Sequence, residues 1–227
     1  VKLSVLIPVF NEAPSIDEVV RRVAAVSVPK EIIVVDDAST DSTLKRLKAM
    51  SIEDLKVLTH SENRGKGAAV RTAMAAASGD AVIIQDADLE YYPEDYTDLL
   101  QALQDEEVAA VYGVRDLTGQ PIARRVGNRV LTIATNLLFG SHLHDMETCY
   151  KMIRTDVAQS LELSADRFDI EPEITVRLMR GGHRIAEVPI RYAPREKRKL
   201  NPWRDGPHAL WTLVKLRFLA DKPADPA

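Results

Sequence analysis

The sequence predicts an α/β fold built on a mostly parallel central sheet with helices on both faces. Three observations carry that expectation. Short, continuously apolar segments recur through the first half: LSVLIPV, EIIVVDD, LKVLTH, DAVIIQ and VAAVYGV. Segments with helical spacing separate them. Each apolar run is also closed by a polar turn, most of them rich in acids. Strands buried on both faces read as unbroken apolar runs, and helices that alternate with them cover the two faces of a parallel sheet.

LSVLIPV is the first strand, followed by the turn Asn11-Glu12-Ala13. Pro14 suits the first turn of a helix, and Ile16, Val19, Val20, Val23 and Ala24 then follow helical spacing. EIIVVDD is the second strand. Asp41-Ser42-Thr43 can cap a helix that carries Leu44, Leu47 and Met50. LKVLTH is the third strand, and Gly67 to Ala77 an Ala-rich helix. DAVIIQ is the fourth, with a helix from Pro93 to Leu103 behind it, and VAAVYGV is the fifth. The rhythm then breaks. Residues 119–140 read as one long apolar-rich helix or a helix pair. After Arg184 come two strand-like pieces, IAEVPI and RYAP. Leu210, Trp211, Leu213, Val214 and Phe218 are expected on one side of a helix beginning after Gly206-Pro207, flanked by Trp203, Arg204, Lys215 and Arg217. This predicts a C-terminal amphipathic helical extension, for which lipid contact and packing on the domain are equal alternatives. The tail DKPADPA is expected to be disordered.

Composition narrows the class. The chain has 227 residues, 45% hydrophobic and 28% charged, which suits one ordinary globular domain. Its one cysteine, Cys149, excludes an internal disulfide framework and fits a reducing compartment. The opening VKLSVLIPVF lacks the pattern of a secretory leader, and no apolar run approaches the roughly 20 residues of a spanning helix. The expectation is a chain that is soluble or lies on a surface. The net charge of -4 hides an asymmetry: Arg177 to Arg217 holds eleven Lys/Arg against three acids. A basic end on an acidic protein suggests an anionic partner there, with a plain solvated surface as the alternative.

Ligands of open α/β sheets bind outside the carboxyl ends of the strands, and the chemistry-bearing residues collect at those ends. The fourth strand runs into QDADLEYYPED. Asp86, Asp88 and Glu90 are spaced two apart, so in extended chain they share one face. Like charges there repel unless water screens them or a cation sits among them. Mg²⁺ or Mn²⁺ prefers such oxygen ligands and bridges to phosphate oxygens. The third strand is followed by Ser61-Glu62-Asn63-Arg64-Gly65-Lys66-Gly67, where Lys66 or Arg64 and a helix N-terminus can add positive charge. Together these suit a nucleotide with a metal-bound diphosphate. The P-loop pattern is absent, and Gly65-Lys66-Gly67 lacks the third glycine of a dinucleotide fingerprint. A lone Asp-x-Asp is more often a turn than a site; polar motifs in order on consecutive strand ends change that balance. His142-Leu143-His144-Asp145 reads as surface rather than metal site, and Cys149 as a packed residue. Tyr91-Tyr92 is equally packing or a wall of a sugar site. Arg124-Arg125 is equally a solvated face or a phosphate clamp.

As an ordered set, IPVFNE, VVDDASTDST, NRGKGAA, QDADLEYYPED, YGVR, DMETCYKM, FDIEPEI, VPIRYAPR and WRDGPHALWTL resemble family 2 glycosyltransferases with the GT-A, Rossmann-like fold. Within that family they are most similar to the dolichol-phosphate mannose synthase-like enzymes that act on polyprenyl phosphates. The resemblance implies a single GT-A domain over residues 1–218, with a nucleotide-sugar part at 1–115, an acceptor part with the C-terminal helix at 116–218, and a tail at 219–227. It implies that Pro8, Phe10 and Glu12 line the nucleotide pocket, with Asp37 on the base or ribose and Lys66 adding charge. Asp86 and Asp88 become the metal pair, with Glu90 as a third metal-side ligand. Arg115 would meet the acceptor phosphate, helped by Arg125 or Arg129 and by Lys199 in a basic loop, Arg195 to Lys199. DMETCYK departs from the related DxTSGFR pattern at Glu147, Cys149 and Lys151. Glu147 is read as a solvated turn residue, with an extra acid in the site as the alternative. Lys151 would keep the charge of the usual Arg but not its fork geometry.

The implied reaction is an inverting, Mg²⁺- or Mn²⁺-dependent transfer of a sugar to a polyprenyl or dolichyl phosphate. The sugar would be mannose from GDP-mannose, with glucose from UDP-glucose as the alternative. A cytoplasmic protein, peripheral on the inner face of the cell membrane, is expected, with no nucleic-acid partner and room for a separate membrane-anchoring partner. The competing expectations are a soluble enzyme of the same family with a non-lipid acceptor, or a nucleotide-sugar-binding module that has lost catalysis.

Overall fold

A computed structural model describes residues 1–195 and 211–218. Nine elements fill the first half: β1 (Leu3–Val9), α1 (Ile16–Ala25), β2 (Lys30–Asp36), α2 (Thr43–Ala49), β3 (Leu55–Thr59), α3 (Lys66–Ala75), β4 (Ala81–Ile84), α4 (Tyr96–Ala102) and β5 (Val108–Arg115). A 3₁₀ turn at Pro93–Asp95 leads into α4. Then follow α5 (Ile122–Phe139), β6 (Lys151–Arg154), α6 (Thr155–Ser160), α7 (Ile170–Arg180) and β7 (Arg184–Ile190). Residues 211–218 are helical.

The sheet has seven strands in the order β3-β2-β1-β4-β6-β5-β7. All neighbours are parallel except β6, which runs antiparallel to both β4 and β5. The five strands expected from the first half are present, and β1 is buried along its whole length, as its unbroken apolar run requires. β6, α6 and α7 were not anticipated. KMIR is only four residues long and carries Lys151 and Arg154 at its ends, so neither length nor alternation marks it as a strand. The long segment after β5 is one helix, α5, ended by Gly140 in the left-handed conformation at φ 69°.

The chain moves outward from β1 to β2 and β3, then returns to β4 on the other side of β1. That reversal places the carboxyl ends of β1 and β4 side by side, which is where an open α/β sheet holds its ligand. The C-terminal helix departs from expectation. Leu213 is fully buried in the core, whereas Trp211 and Phe218 are exposed. In a helix, residues two apart diverge by about 200°, so the apolar residues split between two faces. Lys197, Arg198, Lys199, the stretch through Trp203, Gly206 and Pro207, and the tail 219–227 lie outside the described residues.

Candidate active site

The turn after β1 is locked to the turn after β2. Asn11, at φ 52°, accepts hydrogen bonds on Oδ1 from the backbone N–H of Thr40 (2.8 Å) and Asp41 (3.3 Å). Its own N–H donates to Ser39 Oγ. Asn tolerates this left-handed backbone better than most residues, which explains the Asn in IPVFNE. The arrangement leaves Phe10 exposed at the strand end and directs Glu12 toward the β4 turn. Pro8 lies within the buried β1 strand.

The acidic turn after β4 is fastened from below. Gln85 is fully buried; its Oε1 accepts from the hydroxyls of Tyr96 (2.6 Å) and Tyr150 (2.7 Å), while its Nε2 donates to Asp86 O. Ser15 Oγ, at the start of α1, donates to Ala87 O at 2.7 Å. Leu89 takes φ 63° to turn the chain. Lys66 Nζ, from the first residue of α3, is 2.8 Å from Asp86 Oδ1 and 2.6 Å from Glu171 Oε1. Burial opposes the ammonium charge, but Asp86, Cys149 and Glu171 outweigh it and hold Lys66 well above the usual lysine range. Asp88 behaves oppositely. Burial, then the carboxylates of Asp86 and Glu90, push it up to about 7. Among the described residues, Asp86, Asp88, Glu90, Glu12 and Glu171 thus gather around Lys66 and Arg195.

Glu90 has protein partners on both oxygens: Tyr192 OH donates to Oε2 at 2.7 Å and the Arg195 N–H to Oε1 at 2.8 Å. Arg195 also donates from Nε to Asp88 O (2.6 Å) and from both Nη atoms to Glu12 Oε2 (3.1 Å each). The segment after β7 is therefore pinned across the β1 and β4 turns by Glu90 and Glu12. Spacing alone groups Glu90 with Asp86 and Asp88; the fold gives it this fastening role.

The glycine-rich loop after β3 also has a packing role. Asp37, 3% exposed, accepts hydrogen bonds from the backbone N–H of Arg64 (2.9 Å) and Gly65 (2.7 Å), and from His60 Nδ1 at 2.6 Å. A Cβ on Gly65 or Gly67 would collide with the backbone of Asp166 or Ala165, so both glycines serve close approach of two chain segments. His60 and Glu171 were missed by sequence reasoning. Glu171 opens α7, is 6% exposed, and has its second oxygen buried without a protein hydrogen-bond partner. The one available signal was an acid pair flanking Pro172 in the first turn of a helix, and that pattern more often marks a helix start.

Arg115 is closely held. Its Nε and Nη2 meet Asp145 Oδ2 and Oδ1 at 2.7 and 2.8 Å, Nη1 meets Tyr91 OH at 3.2 Å, and Nη2 also meets Asn128 Oδ1 at 3.3 Å. Side-chain exposure is 8% for Arg115 and 2% for Asp145. Burial alone would raise the Asp145 carboxyl, but Arg115 and Asn128 hold it below the ordinary aspartate value. Arg125 and Arg129 are exposed on α5, on either side of Asn128 in sequence. Tyr91 is 2% exposed and packs on Tyr150 and Tyr192, so it is packing rather than a sugar wall. Cys149 is buried as expected. Lys151 is fully buried; its Nζ donates to Met146 O and Thr148 O, and burial draws its pKa below the usual lysine value.

Glu147 corrects an expectation. It is a half-buried turn residue rather than a solvated one, and its Oε1 is buried with no protein hydrogen-bond partner. Burial pushes its pKa up to about 7, against the pull of Lys151. His142 and His144 are exposed, and His144 pairs with Glu187. Among the described residues no three His, Cys, Asp or Glu side chains are arranged as a metal cluster. Asp86 and Asp88 supply two hard carboxylates in a region of excess negative charge. That donor set fits a hard divalent cation whose remaining ligands are phosphate oxygens and water.

A doubly wound sheet with an acidic Asp-x-Asp turn at its switch point is the arrangement that the resemblance to GT-A glycosyltransferases led one to expect. The family model "Glycosyl transferase family 2" matches residues 4–161, and the chain belongs to that family. Among curated relatives, an uncharacterized protein of Methanocaldococcus jannaschii is 28% identical over 200 residues, covering 84% of this chain and 81% of its own length. A dolichol-phosphate mannosyltransferase of Pyrococcus furiosus is 28% identical over 207 residues, 86% of this chain and 58% of that protein. An undecaprenyl-phosphate 4-deoxy-4-formamido-L-arabinose transferase of Salmonella paratyphi A is 28% identical over 224 residues, 96% and 65%. The chain thus spans about three fifths of these two transferases. Among solved structures, glucosyl-3-phosphoglycerate synthase of Mycobacterium tuberculosis superposes with a TM-score of 0.77 at 22% identity, covering 97% of this chain and 81% of that one. At that identity the likeness is one of fold. That synthase has been crystallised with Mn²⁺, UDP and its glucosylated product, and with Mg²⁺ and UDP.

Proposed function

We propose that the protein is an inverting, metal-dependent glycosyltransferase that moves a hexose from a nucleoside diphosphate to a polyprenyl phosphate. The observation that carries this reading is the carboxylate pair, Asp86 and Asp88, at the β1–β4 switch point, with Lys66 fixed beside it. Two relatives named as polyprenyl- or dolichol-phosphate sugar transferases support the acceptor class. The crystallised Mn²⁺ and Mg²⁺ complexes of the fold neighbour support the cation.

In this reading Asp86 and Asp88 hold Mg²⁺ or Mn²⁺, with Glu90 behind them fastening the loop. When bound, the cation neutralises charge growing on the leaving diphosphate as a Lewis acid. Pro8, Phe10 and Glu12 border the nucleotide. Asp37 acts through the loop whose N–H groups it holds. Lys66 exchanges its contact with Asp86 for the diphosphate, while Glu171 keeps the ammonium in place. The nucleophile is a phosphate oxygen, already ionised near neutral pH, so no general base is required. Arg125 and Arg129 orient that phosphate. Lys199, outside the described residues, is assigned the same task. Arg115, already committed to Asp145, sets the end of β5 beneath them. A single displacement inverts the anomeric carbon.

The test is product analysis with radiolabelled GDP-mannose and UDP-glucose, a short-chain polyprenyl phosphate and Mg²⁺ or Mn²⁺. Labelled glycolipid that disappears on EDTA treatment is expected; transfer that survives EDTA removes the metal from the reading. A second reading follows from the fold neighbour, one complex of which holds phosphoglyceric acid. Here the acceptor is a small phosphorylated metabolite. Transfer to that class, with none to polyprenyl phosphate, would select it.

A further inference from the structure

Three buried polar atoms, on α7 and on the turn before β6, lack a hydrogen-bond partner among the described residues: Glu171 Oε2, Glu147 Oε1 and Thr148 Oγ1. Glu171 is 6% exposed and Thr148 fully buried, while Glu147 is half-buried. The two segments meet at Lys66. Its Nζ bonds Glu171 Oε1 at 2.6 Å and lies 3.9 Å from the sulfur of Cys149, the residue after Thr148. The same ammonium is 2.8 Å from Asp86 Oδ1. The Glu147 carboxyl feels the charges of Lys151, Glu171, Arg115 and Asp145, which places it among the Lys66–Glu171 contact and the Arg115–Asp145 pair. A buried polar atom without a partner carries an uncompensated desolvation cost. Three in one neighbourhood call for an occupant.

The surroundings say what kind. Lys66 already faces Glu171, and the charges of Glu171 and Glu147 both act on the buried Lys151. Lysines are therefore in place against both acids; what the oxygens lack is hydrogen. A further cation would be repelled by the ammoniums, and an anion by the carboxylates. A neutral group that carries several hydroxyls can donate to the carboxyl oxygens and exchange a hydrogen bond with the threonine hydroxyl. We infer that Glu147, with Glu171 and Thr148 beside it, is the specificity-determining residue that reads hydroxyls of the transferred sugar. This deepens the nucleotide-sugar reading of the site and rests on it. A sugar ring joined directly to a diphosphate at Lys66 and Asp86 stands next to the groups that touch Lys66. The class selected is a hexose whose hydroxyls are unsubstituted. Loss of the hydroxyl that Glu147 reads would leave a buried carboxyl unsatisfied, and a site built to bond a hydroxyl rejects analogues that lack it.

Calorimetry in Mg²⁺ with GDP-mannose, UDP-glucose, their monodeoxy-sugar analogues, GDP and UDP tests the assignment. Substitution is made at Glu147, because Glu171 also holds Lys66. In the wild type one monodeoxy donor should bind at least about tenfold more weakly than its parent. Glu147→Leu should bind that pair alike and keep wild-type affinity for the bare nucleoside diphosphate. It removes an unpartnered buried oxygen, so folding should survive, as thermal melts check; Glu147→Ala, which only truncates, carries the same expectation should the larger side chain not fit. Glu147→Gln, which keeps an oxygen and an N–H, should recover most of the discrimination. A wild type that binds every deoxy donor as tightly as its parent overturns the inference. So does a Glu147→Leu variant that discriminates as the wild type does, or one that loses nucleoside diphosphate affinity to the same degree as sugar nucleotide affinity. Each of those results leaves the nucleotide-sugar reading standing. A wild type that binds neither GDP nor UDP overturns that reading and the inference with it.

Discussion

The Lys66–Asp86–Glu171 cluster and the Arg115–Asp145 pair are both ion clusters at strand ends, yet they are built for opposite ends. Arg115 and Asp145 match in charge, meet through two parallel contacts, and pass their remaining hydrogen bonds to Tyr91 and Asn128. Lys66 instead serves two carboxylates while Asp88 stands nearby, raised to about 7 by burial and by its acidic neighbours. Asp86 keeps 25% side-chain exposure against 2% for Asp145. A closed, neutral pair adds rigidity and leaves little for a ligand to gain. An open cluster with excess negative charge pays a standing repulsion that a cation and a diphosphate can relieve. Motifs of similar appearance in the sequence thus differ in whether the fold closes them into a matched, buried pair or leaves them partly open.

The largest effect should come from breaking the closed pair. Arg115→Ala leaves the Asp145 carboxylate buried without its counter-charge, and a loss of about 3–5 kcal/mol in unfolding free energy is expected. Denaturant unfolding measures it; a loss confined to transfer rate, with stability intact, would move Arg115 from scaffold to acceptor site. The pair also has a pH signature. Because the folded-state pKa of Asp145 is depressed, its stabilisation is present above the unfolded aspartate value of about 3.9 and is lost as pH falls through the lower folded value. Without Arg115 burial raises the Asp145 pKa, so the gap between wild type and Arg115→Ala should begin to narrow where the variant takes up that proton and go on narrowing until pH falls through the depressed wild-type value.

Removing Asp88 from the other cluster should spare the fold. Asp88→Ala is expected to lower transfer by at least about 100-fold, with the melting temperature held or raised because one repelling charge is gone. A variant that unfolds instead would make Asp88 structural. Lys66→Met should weaken donor binding about tenfold, roughly 1.4 kcal/mol, read by calorimetry with the nucleoside diphosphate. An unchanged affinity would confine Lys66 to neutralising Asp86 and Glu171.

Glu147→Gln should give the smallest change. The folded-state pKa of Glu147 is raised to about 7, so its carboxylate destabilises the protein increasingly as pH rises from the ordinary glutamate value toward 7. Little difference from wild type is expected in acid, with a gain of about 1 kcal/mol near pH 8 from removing a buried, unsatisfied charge. Thermal melts across that interval check the sign.

What was legible early depended on local pattern. Strands β1 to β5 declare themselves because a strand buried on both faces needs an unbroken apolar run, and Asp86 and Asp88 stand out because their spacing follows directly on such a run. β6 was hidden because it is short, ends in charged residues and is inserted antiparallel between β4 and β5. Glu171 was hidden because its partner, Lys66, is 105 residues away. The glycines of NRGKG pack against residues 165–166, a close approach that no local pattern shows.

The sequence by itself determined the sheet class and the acidic turn, since periodicity and spacing act over a few residues and survive without knowledge of neighbours, and the family followed from the resemblance of its ordered motifs. Tertiary structure alone decided which charges are paired, which faces are covered and which carboxylates share the Lys66 ammonium. Glu90 and Asp88 are two residues apart, yet one is tied to Tyr192 and Arg195 and the other is left with an excess of like charge. The exposed Trp211 and the buried Leu213 make the same point, because whether an apolar side chain is core or surface depends on what the rest of the chain brings against it.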